Sequence, residues 1–260
     1  SQQLHLPFVQ EVYATRIAIQ HYLPSTNVVI ELGGEDAKIL FLGRNMEVRM
    51  NGTCAGGTGS FIDQMASLLN IDQDQMDDLA KQAKQSYTIA SRCGVFAKSD
   101  VQPLINQGAD KADIALSVLQ SVVNQTIAGL AQGRPITGQV VYLGGPLTFL
   151  SSLRTAFDQT LHLEGICPEN SLYFVALGTA LANNEETIIL SDLVYQLEHY
   201  HTQKTFTSIP PLFETDEQLT EFHKRHQRAK LPKSDPSSYK GQAFLGVDAG
   251  STTVKACIID

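Results

Sequence analysis

The sequence predicts an α/β protein in which helices flank a mixed, twisted sheet. Short apolar runs that end in glycine turns alternate along the chain with segments whose apolar residues repeat at helical spacing, and this alternation is typical of α/β layering. The clearest strand patterns, residues 27–32 and 139–143, each lead into a glycine pair. The clearest helical pattern is residues 112–131, where one apolar stripe continues over the whole segment.

The individual elements follow from their local patterns. We expect helices over residues 11–22, 61–69, 72–85 and 112–131 and strands over 27–32, 37–42, 46–50 and 139–143. The first three strands are close enough in sequence to form a meander. Residues 172–182 are expected to run from a strand into a helix.

The character of the chain changes after residue 184. We expect one α/β domain over 1–184, a linker with one or two exposed helices over 185–241, and a strand–turn–strand over 242–260. The linker contains His199, His201, His223 and His226. We expect these histidines to be solvated, because a metal site needs further ligands and supporting contacts.

Composition limits the classes of partner. A chain of 260 residues that is 43% hydrophobic can bury a sizeable core. The net charge of −8 argues against a nucleic-acid partner, because phosphate binding requires clustered cations. No apolar run approaches the roughly 20 residues that a membrane span needs, so we expect a cytoplasmic protein with no membrane partner.

The C-terminal segment has a phosphate-binding pattern in a predicted hairpin. It combines a carboxylate, a glycine, three hydroxyl side chains and a cation: Asp248, Gly250, Ser251, Thr252, Thr253 and Lys255. Backbone N–H groups and the lysine would bind phosphates, and the carboxylate would hold a metal-bound water. An ordinary β-hairpin is the alternative.

A second hairpin of the same kind and a later glycine turn complete a predicted nucleotide site. The predicted phosphate contacts are Gly33, Gly34, Lys38, Gly144 and Gly145. Glu35 and Asp36 would orient the attacking water and Mg²⁺, because hydrolysis needs a placed nucleophile and neutralised charge. As isolated residues, both would more often be turn formers.

The four cysteines show no CxxC spacing and no disulfide framework. Cys54 lies in a glycine-rich turn before a predicted helix, and Arg92 precedes Cys93. A helix N-terminus and a cation both stabilise thiolates, so Cys54 and Cys93 are candidate metal ligands, with buried free thiols as the alternative. Cys167 and Cys257 have no such context, and we expect both to be core thiols.

Five motifs resemble those of the BadF/BadG/BcrA/BcrD-type ATPases, which include activators of 2-hydroxyacyl-CoA dehydratases and ATP-binding subunits of benzoyl-CoA reductase. The motifs are ELGGEDAK (31–38), NGTCAGGTGSF (51–61), SRCGVFAKSD (91–100), LGGP (143–146) and ALGTA (176–180). The resemblance covers about residues 5–183, with a partial second match at 244–260. It implies an actin-like fold of the acetate and sugar kinase/Hsp70/actin superfamily, mainly its second lobe.

The resemblance also implies cofactors and partners. Cys54 and Cys93 would bind half of a [4Fe–4S] cluster that bridges two subunits, so the other half must come from a second copy or a second repeat of the domain. ATP with Mg²⁺ would drive a low-potential electron to an iron–sulfur dehydratase or reductase component that acts on a CoA thioester.

Two departures from the family pattern affect this expectation. Family members usually have Asp and Gln where this chain has Glu31 and Glu35. The first phosphate hairpin of such a domain should precede residue 1, whereas here that pattern begins at Asp248. We therefore expect a fragment of a protein with two tandem repeats. A separate hypothesis is that the terminal hairpin of the fragment fills the place of the missing first hairpin and approaches Gly33 and Gly34, in its own molecule or in a neighbour. By itself the fragment would be a weak ATPase.

Two other functions agree with parts of the pattern. A kinase or hydrolase of the same superfamily without a cluster would use the glycine turns but not the cysteine pair. A non-catalytic scaffold repeat would explain the missing first hairpin and the two glutamates.

Overall fold

The computed structural model describes residues 8–43, 45–51, 56–90, 94–182, 189–199, 209–230, 235, 237–250 and 253–259. They fall into two compact units, one within residues 1–188 and one within 189–260. The three-part division expected from the sequence stays a prediction.

The first unit alternates helices and strands. Its helices are α1 (Glu11–Tyr22), α2 (Gly59–Leu69), α3 (Gln73–Ala80), α4 (Gly94–Asn106), α5 (Lys111–Thr126), α6 (Gly145–Phe149), α7 (Ser151–Leu161) and α8 (Phe174–Leu181). Its strands are β1 (Val28–Leu32), β2 (Ala37–Phe41), β3 (Glu47–Met50) and β4 (Val140–Leu143). The predicted helix 11–22 is confirmed, and the predicted strands agree within one residue.

The four strands form one sheet in the order β3-β2-β1-β4. The meander β1-β2-β3 is antiparallel, whereas β4 pairs parallel to β1. A parallel pair needs a long crossover, and here α2 to α5 lie in that crossover. The sheet is therefore mixed, as the sequence predicts.

Both faces of the sheet are covered. On one face Ile30 and Tyr142 join an apolar cluster that includes residues of α2, α5 and α7. On the other face Val29 and Val141 join a smaller cluster with α1 and α8. Because successive side chains of a strand point to opposite faces, β1 and β4 are buried on both sides, and all their residues are apolar except Glu31, which pairs with Lys38.

Helices α1 and α8 pack closely because of one glycine. A side chain at Gly178 of α8 would collide with the backbone of Ala14 in α1. Only glycine allows this approach of two helix backbones, and the contact closes the second face of the sheet.

Helix α5 ends in one turn of π-helix, Ile127–Ala131, where the sequence predicts uninterrupted α-helix. Arg49 of β3 donates from Nη1 to the carbonyl oxygens of Leu130 (3.3 Å) and Ala131 (2.5 Å), which satisfies acceptors that a helix end leaves unpaired. By length and composition, residues 111–131 form one helix that could cross a membrane; most of it is buried within this unit.

The prediction for residues 172–182 is wrong at its start. Ser171–Tyr173 is a single 3₁₀ turn that leads directly into α8, without a strand. A short apolar run cannot be assigned to strand or helix by periodicity alone, and here it continues one amphipathic helix.

The second unit contains α9 (Leu190–Glu198), α10 (Asp216–Gln227) and a hairpin of β5 (Phe244–Ala249) and β6 (Val254–Ile259). All residues of both strands are exposed. Neither helix has a buried residue.

Candidate functional site

Two glycine turns lie side by side at one edge of the sheet. Gly33 and Gly34 follow β1, and Gly144 and Gly145 follow β4. Because β1 and β4 are adjacent and parallel, their carboxyl ends meet at the same edge, where α/β proteins bind ligands. We call the four glycines the glycine edge, and the structure places them together at this edge of the sheet.

The glycine edge depends on the absence of side chains in two ways. Gly144 has a φ of 88°, and a Cβ there would collide with the carbonyl oxygen of Leu32, so only glycine allows α6 to begin against the end of β1. At Gly34 and Gly145, in contrast, a Cβ would meet no described atom within 4 Å. The backbone is therefore open to a ligand at these two positions.

Helix α2 begins directly on the β1–β2 turn. The N–H of Gly59 donates to the carbonyl of Gly33 at 2.9 Å, and the N–H of Ser60 donates to that of Gly34 at 2.7 Å. A Cβ at Gly59 would lie 3.2 Å from the Gly34 Cα and 3.4 Å from Cγ of Pro146 in α6. The starts of α2 and α6 thus meet the turn at one point.

A buried lysine lies beneath the same turn. Lys38 of β2 is 1% exposed, and its Nζ contacts Glu31 of β1 at 3.2 Å, Asp36 at 2.7 Å and Glu11 of α1 at 2.5 Å. The second carboxylate oxygen of Glu31 accepts from the Thr15 hydroxyl at 3.5 Å. One ammonium therefore uses its three donors on three carboxylates, two of which are partly exposed.

Burial and the ion pairs together shift the pKa values of Glu31 and Lys38. It raises the pKa of the Glu31 carboxyl, and the charge of Lys38 offsets that effect only in part. Burial also works to lower the pKa of Lys38, but hydrogen bonds to Asp36 and Glu11 and the charge of Glu31 outweigh it and raise that pKa. Lys38 is therefore protonated at neutral pH.

The two predicted catalytic residues occupy different environments. Glu35 is exposed at the tip of the turn. Asp36 pairs with Lys38, and its carbonyl accepts from the N–H of Gly33 at 2.8 Å. Their catalytic roles, and phosphate binding by Lys38 and the glycine edge, stay predictions.

Both predicted cluster ligands, Cys54 and Cys93, lie outside the described residues. Helix α4 begins at Gly94 and α2 at Gly59, so a helix follows each cysteine within five residues. No group of three or more His, Cys, Asp or Glu side chains in the described part of the chain could hold a metal ion. Cys167 is half-buried against the core, whereas Cys257 is exposed on β6, so the prediction that Cys257 is a core thiol is wrong; its strand has no buried face.

Asn51, the residue before segment 52–55, is tied to β2. Its N–H donates to the carbonyl of Ala37 at 3.0 Å, and its side-chain Oδ1 accepts from the N–H of Ala37 at 2.8 Å. Neither this pair nor the contact of Glu11 with Lys38 could be predicted from local sequence, because both depend on contacts between distant segments.

A cavity of about 320 Å³ lies between the start of β2, the end of β3 and the π-turn. Neutral polar groups of Asn51, Gln125 and Gln132 line it in part. Thr126 also lines it, and its Oγ1 is buried without a hydrogen-bond partner in the structure as described.

The C-terminal hairpin keeps its predicted pairing. Asp248 lies opposite Lys255, with 3.6 Å between Oδ2 and Nζ, and both side chains are more than 70% exposed. The N–H of Gly250 donates to the carbonyl of Thr253 at 3.0 Å. Ser251 and Thr252 lie outside the described residues, and the proposed approach of this hairpin to the glycine edge stays a prediction.

Proteins of known structure and related sequence share this fold. The (R)-2-hydroxyglutaryl-CoA dehydratase activating ATPase of Acidaminococcus fermentans is 34% identical over 160 residues, which are 61% of either chain. The crystal structure of component A of that dehydratase superposes with a TM-score of 0.62 at 32% identity, over 66% of this chain and 67% of that one. The activator of 2-hydroxyisocaproyl-CoA dehydratase from Clostridium difficile, solved with bound ADPNP, superposes with a TM-score of 0.61 at 26% identity, over 78% and 72%.

The fold is thus that of the actin-like ATPases. Residues 2–182 match the BadF/BadG/BcrA/BcrD ATPase family, and the chain belongs to that family. It spans about three fifths of the length of the Acidaminococcus relative.

Proposed function

We propose that this chain is part of an ATP-dependent activator of a CoA-thioester dehydratase or reductase, and that it works in the cytoplasm. The observation that carries the proposal is the glycine edge, which offers open backbone at Gly34 and Gly145 in a chain of this ATPase family. Two relatives with this fold are named as dehydratase activators or activating ATPases, and one was solved with bound ADPNP.

The nucleotide fits the open side of the glycine edge. Phosphates need backbone that can approach closely, and glycine provides it where no Cβ intervenes. Lys38 has its three donors engaged, so its main contribution is to hold Asp36 and the turn in place. Glu35, which is exposed at the tip of the turn, is free to approach Mg²⁺ or the attacking water.

The cluster fits the donor set that the sequence supplies. Cys54 and Cys93 provide two thiolates for each chain, and a [4Fe–4S] cluster needs four, so a second copy or a second repeat must provide the rest. Helix α4, which begins one residue after Cys93, would place a helix N-terminus near the anionic thiolates. When bound, the cluster would carry the low-potential electron to the partner component.

Anaerobic reconstitution with iron and sulfide tests the cluster. We expect the intact protein to bind about four irons for every two Cys54–Cys93 pairs, which is about two irons for each pair, and Cys54→Ala and Cys93→Ala to lose this iron. Cys167→Ala and Cys257→Ala are matched controls that should keep it. If the Cys54 and Cys93 variants bind as much iron as the parent, the cluster assignment is wrong.

Nucleotide binding tests the glycine edge. Gly34→Val and Gly145→Val place side chains in open space, so we expect the protein to fold while ATP affinity falls at least about tenfold. Gly43→Val, at the opposite end of β2 and also uncrowded, should keep the parent affinity. Equal ATP affinity in all three variants would show that the nucleotide does not bind at this edge.

The same two measurements separate the alternative functions. A protein that binds ATP but no iron would be a cluster-free kinase or hydrolase of the superfamily. A protein that binds neither would be a scaffold repeat.

A further inference from the structure

The turn after β4 depends on the orientation of one peptide group. Gly144 has a φ of 88° and a ψ of 163°, a conformation that essentially only glycine adopts. Its carbonyl and the N–H of Gly145 belong to the same planar trans peptide, so they point in opposite directions. Whatever holds the Gly144 carbonyl therefore also directs the Gly145 N–H, at a residue where the backbone is open to a ligand.

Two groups of Thr148 bind the Gly144 carbonyl. The N–H of Thr148 donates to it at 2.9 Å, and Oγ1 donates to the same oxygen at 2.7 Å. A hydroxyl has one hydrogen, so Oγ1 of Thr148 in turn accepts from the Ser171 hydroxyl, whose Oγ lies 2.8 Å away. Ser171 is 3% exposed and begins the 3₁₀ turn before α8. A chain of two hydroxyls thus connects this buried turn to the glycine edge.

We propose that Thr148 and Ser171 are positioning residues for the nucleotide: their two hydroxyls hold the peptide between Gly144 and Gly145 in the orientation that the bound nucleotide requires. The inference rests on the proposed function and deepens it by two residues. Both hydroxyls act through the backbone. A carbonyl that accepts two hydrogen bonds also polarises its own peptide group, which makes the N–H on the other side of that group a stronger donor.

The hydroxyl bond of Thr148 differs from a similar bond in the next helix. Threonine hydroxyls in helices can donate to the carbonyl four residues earlier, and Thr155 of α7 does so with Ser151 at 3.1 Å. Thr155 is exposed, and its acceptor is not part of the glycine edge. Thr148 differs in two respects, because its acceptor is a glycine of that edge and its oxygen accepts from a buried hydroxyl.

The far end of α6 is held by other contacts. Arg154 of α7 donates from Nη1 to the carbonyl oxygens of Leu147 and Thr148, at 2.5 and 3.0 Å. The Leu147 side chain is fully buried in the core. We therefore expect α6 to keep its place when the Thr148 hydroxyl is removed, so a substitution there changes the turn rather than the whole helix.

The test removes the two hydroxyls in the intact protein and measures ATP affinity by calorimetry. Thr148→Val has nearly the same shape but no hydroxyl, so we expect the affinity for ATP to fall about three- to tenfold, the effect of one hydrogen bond. Thr148→Ser keeps a hydroxyl and should restore the affinity to within about twofold of the parent. Ser171→Ala removes the second hydroxyl and should lower the affinity less than Thr148→Val does.

The effects of the two substitutions should not add. Because Ser171 acts through Thr148, the double variant Thr148→Val/Ser171→Ala should bind ATP no more weakly than Thr148→Val alone. Thr155→Val is the matched control, since it loses a hydroxyl bond of the same type in the next helix, and it should bind ATP as the parent does. Urea unfolding of each variant measures stability separately. A purely structural role of Thr148 would lower stability and leave ATP affinity unchanged.

The outcomes distinguish this inference from the proposed function. A parent protein that binds no ATP overturns the proposed function, and the inference with it. Parent affinity in both Thr148→Val and Ser171→Ala overturns the inference alone. An equal loss of affinity in Thr148→Ser also overturns it, because the hydroxyl would then not be the group that matters. If Thr148→Val does not fold, Ser171→Ala decides: weaker ATP binding supports the inference, and parent affinity overturns it.

Discussion

Two hairpins of this chain, β1–β2 and β5–β6, place the same residue pattern in opposite environments. In each, a carboxylate and a lysine face each other across antiparallel strands, as Glu31 with Lys38 and as Asp248 with Lys255. Lys38 is 1% exposed and contacts three carboxylates, whereas Lys255 is 75% exposed and contacts one. The residue pattern determines which carboxylate faces which lysine, but burial determines how much the ion pair contributes to stability.

The largest expected effect is at the buried lysine. Lys38→Met leaves three carboxylates without a cation and should reduce the free energy of unfolding by about 3–5 kcal/mol. Equilibrium unfolding in urea at pH 7 measures the loss. A loss no larger than that of Lys255→Met would mean that the two pairs are energetically alike.

A second buried carboxylate, Asp77, extends the comparison between buried and exposed ion pairs. Asp77 of α3 accepts from the N–H of Ser152 (2.7 Å) and the hydroxyl of Ser151 (2.8 Å) at the start of α7, and it pairs with Lys81 at 2.8 Å. Burial raises the pKa of Asp77, but these hydrogen bonds outweigh it and lower that pKa to about 2. Asp77→Ala should therefore cost about 1–2 kcal/mol at neutral pH.

The pH dependence of the Asp77 effect has a definite sign. A carboxyl whose folded pKa lies below its unfolded value stabilises the protein above the unfolded pKa and loses that contribution as pH falls. The difference between parent and Asp77→Ala should shrink between pH 4 and about pH 2, the pKa in the folded state. A stability difference between the two proteins that stays constant over this pH range would contradict the lowered pKa of Asp77.

Glu31 should show the opposite dependence with a smaller amplitude. Because its pKa is raised in the folded protein, the folded state binds the proton more tightly, and stability falls as pH rises from the unfolded pKa, near 4.5, through the folded one. Glu31→Gln should remove this decrease. The free energy of unfolding of both proteins between pH 4 and pH 8 measures this decrease. If it falls with pH equally steeply in Glu31→Gln and in the parent, Glu31 is not the group responsible.

The smallest effect is expected at the exposed pair. Lys255→Met should change the free energy of unfolding by less than about 0.5 kcal/mol, because exposed ion pairs are screened by water and salt. Any difference should vanish at high salt. A difference of the size seen for Lys38→Met would mean that the hairpin is covered in solution.

Much of the sheet could be predicted from local sequence. The mainly apolar runs at 28–32 and 140–143 have the composition of strands buried on both faces, and the glycine pair after each marks the edge where the turns meet. The π-turn after Thr126 could not be predicted, because Arg49 supports it from another strand.

The contacts around the site were harder to predict from the sequence than the glycines that form it. Gly33, Gly34, Gly144 and Gly145 are recognisable because each pair directly follows a strand pattern in the sequence. The partners of Lys38 come from three separate segments. Packing across the whole first unit determines that Lys38 is buried.

The parallel pairing of β1 with β4 has a consequence for how the protein folds. Val28 and Val140 pair although over one hundred residues separate them, so the glycine edge exists only after a long loop has closed. Loop closure of this length is entropically costly and slows folding, so the two halves of the edge are expected to join late. A ligand that binds only the joined edge would raise the melting temperature and protect β4 from amide hydrogen exchange.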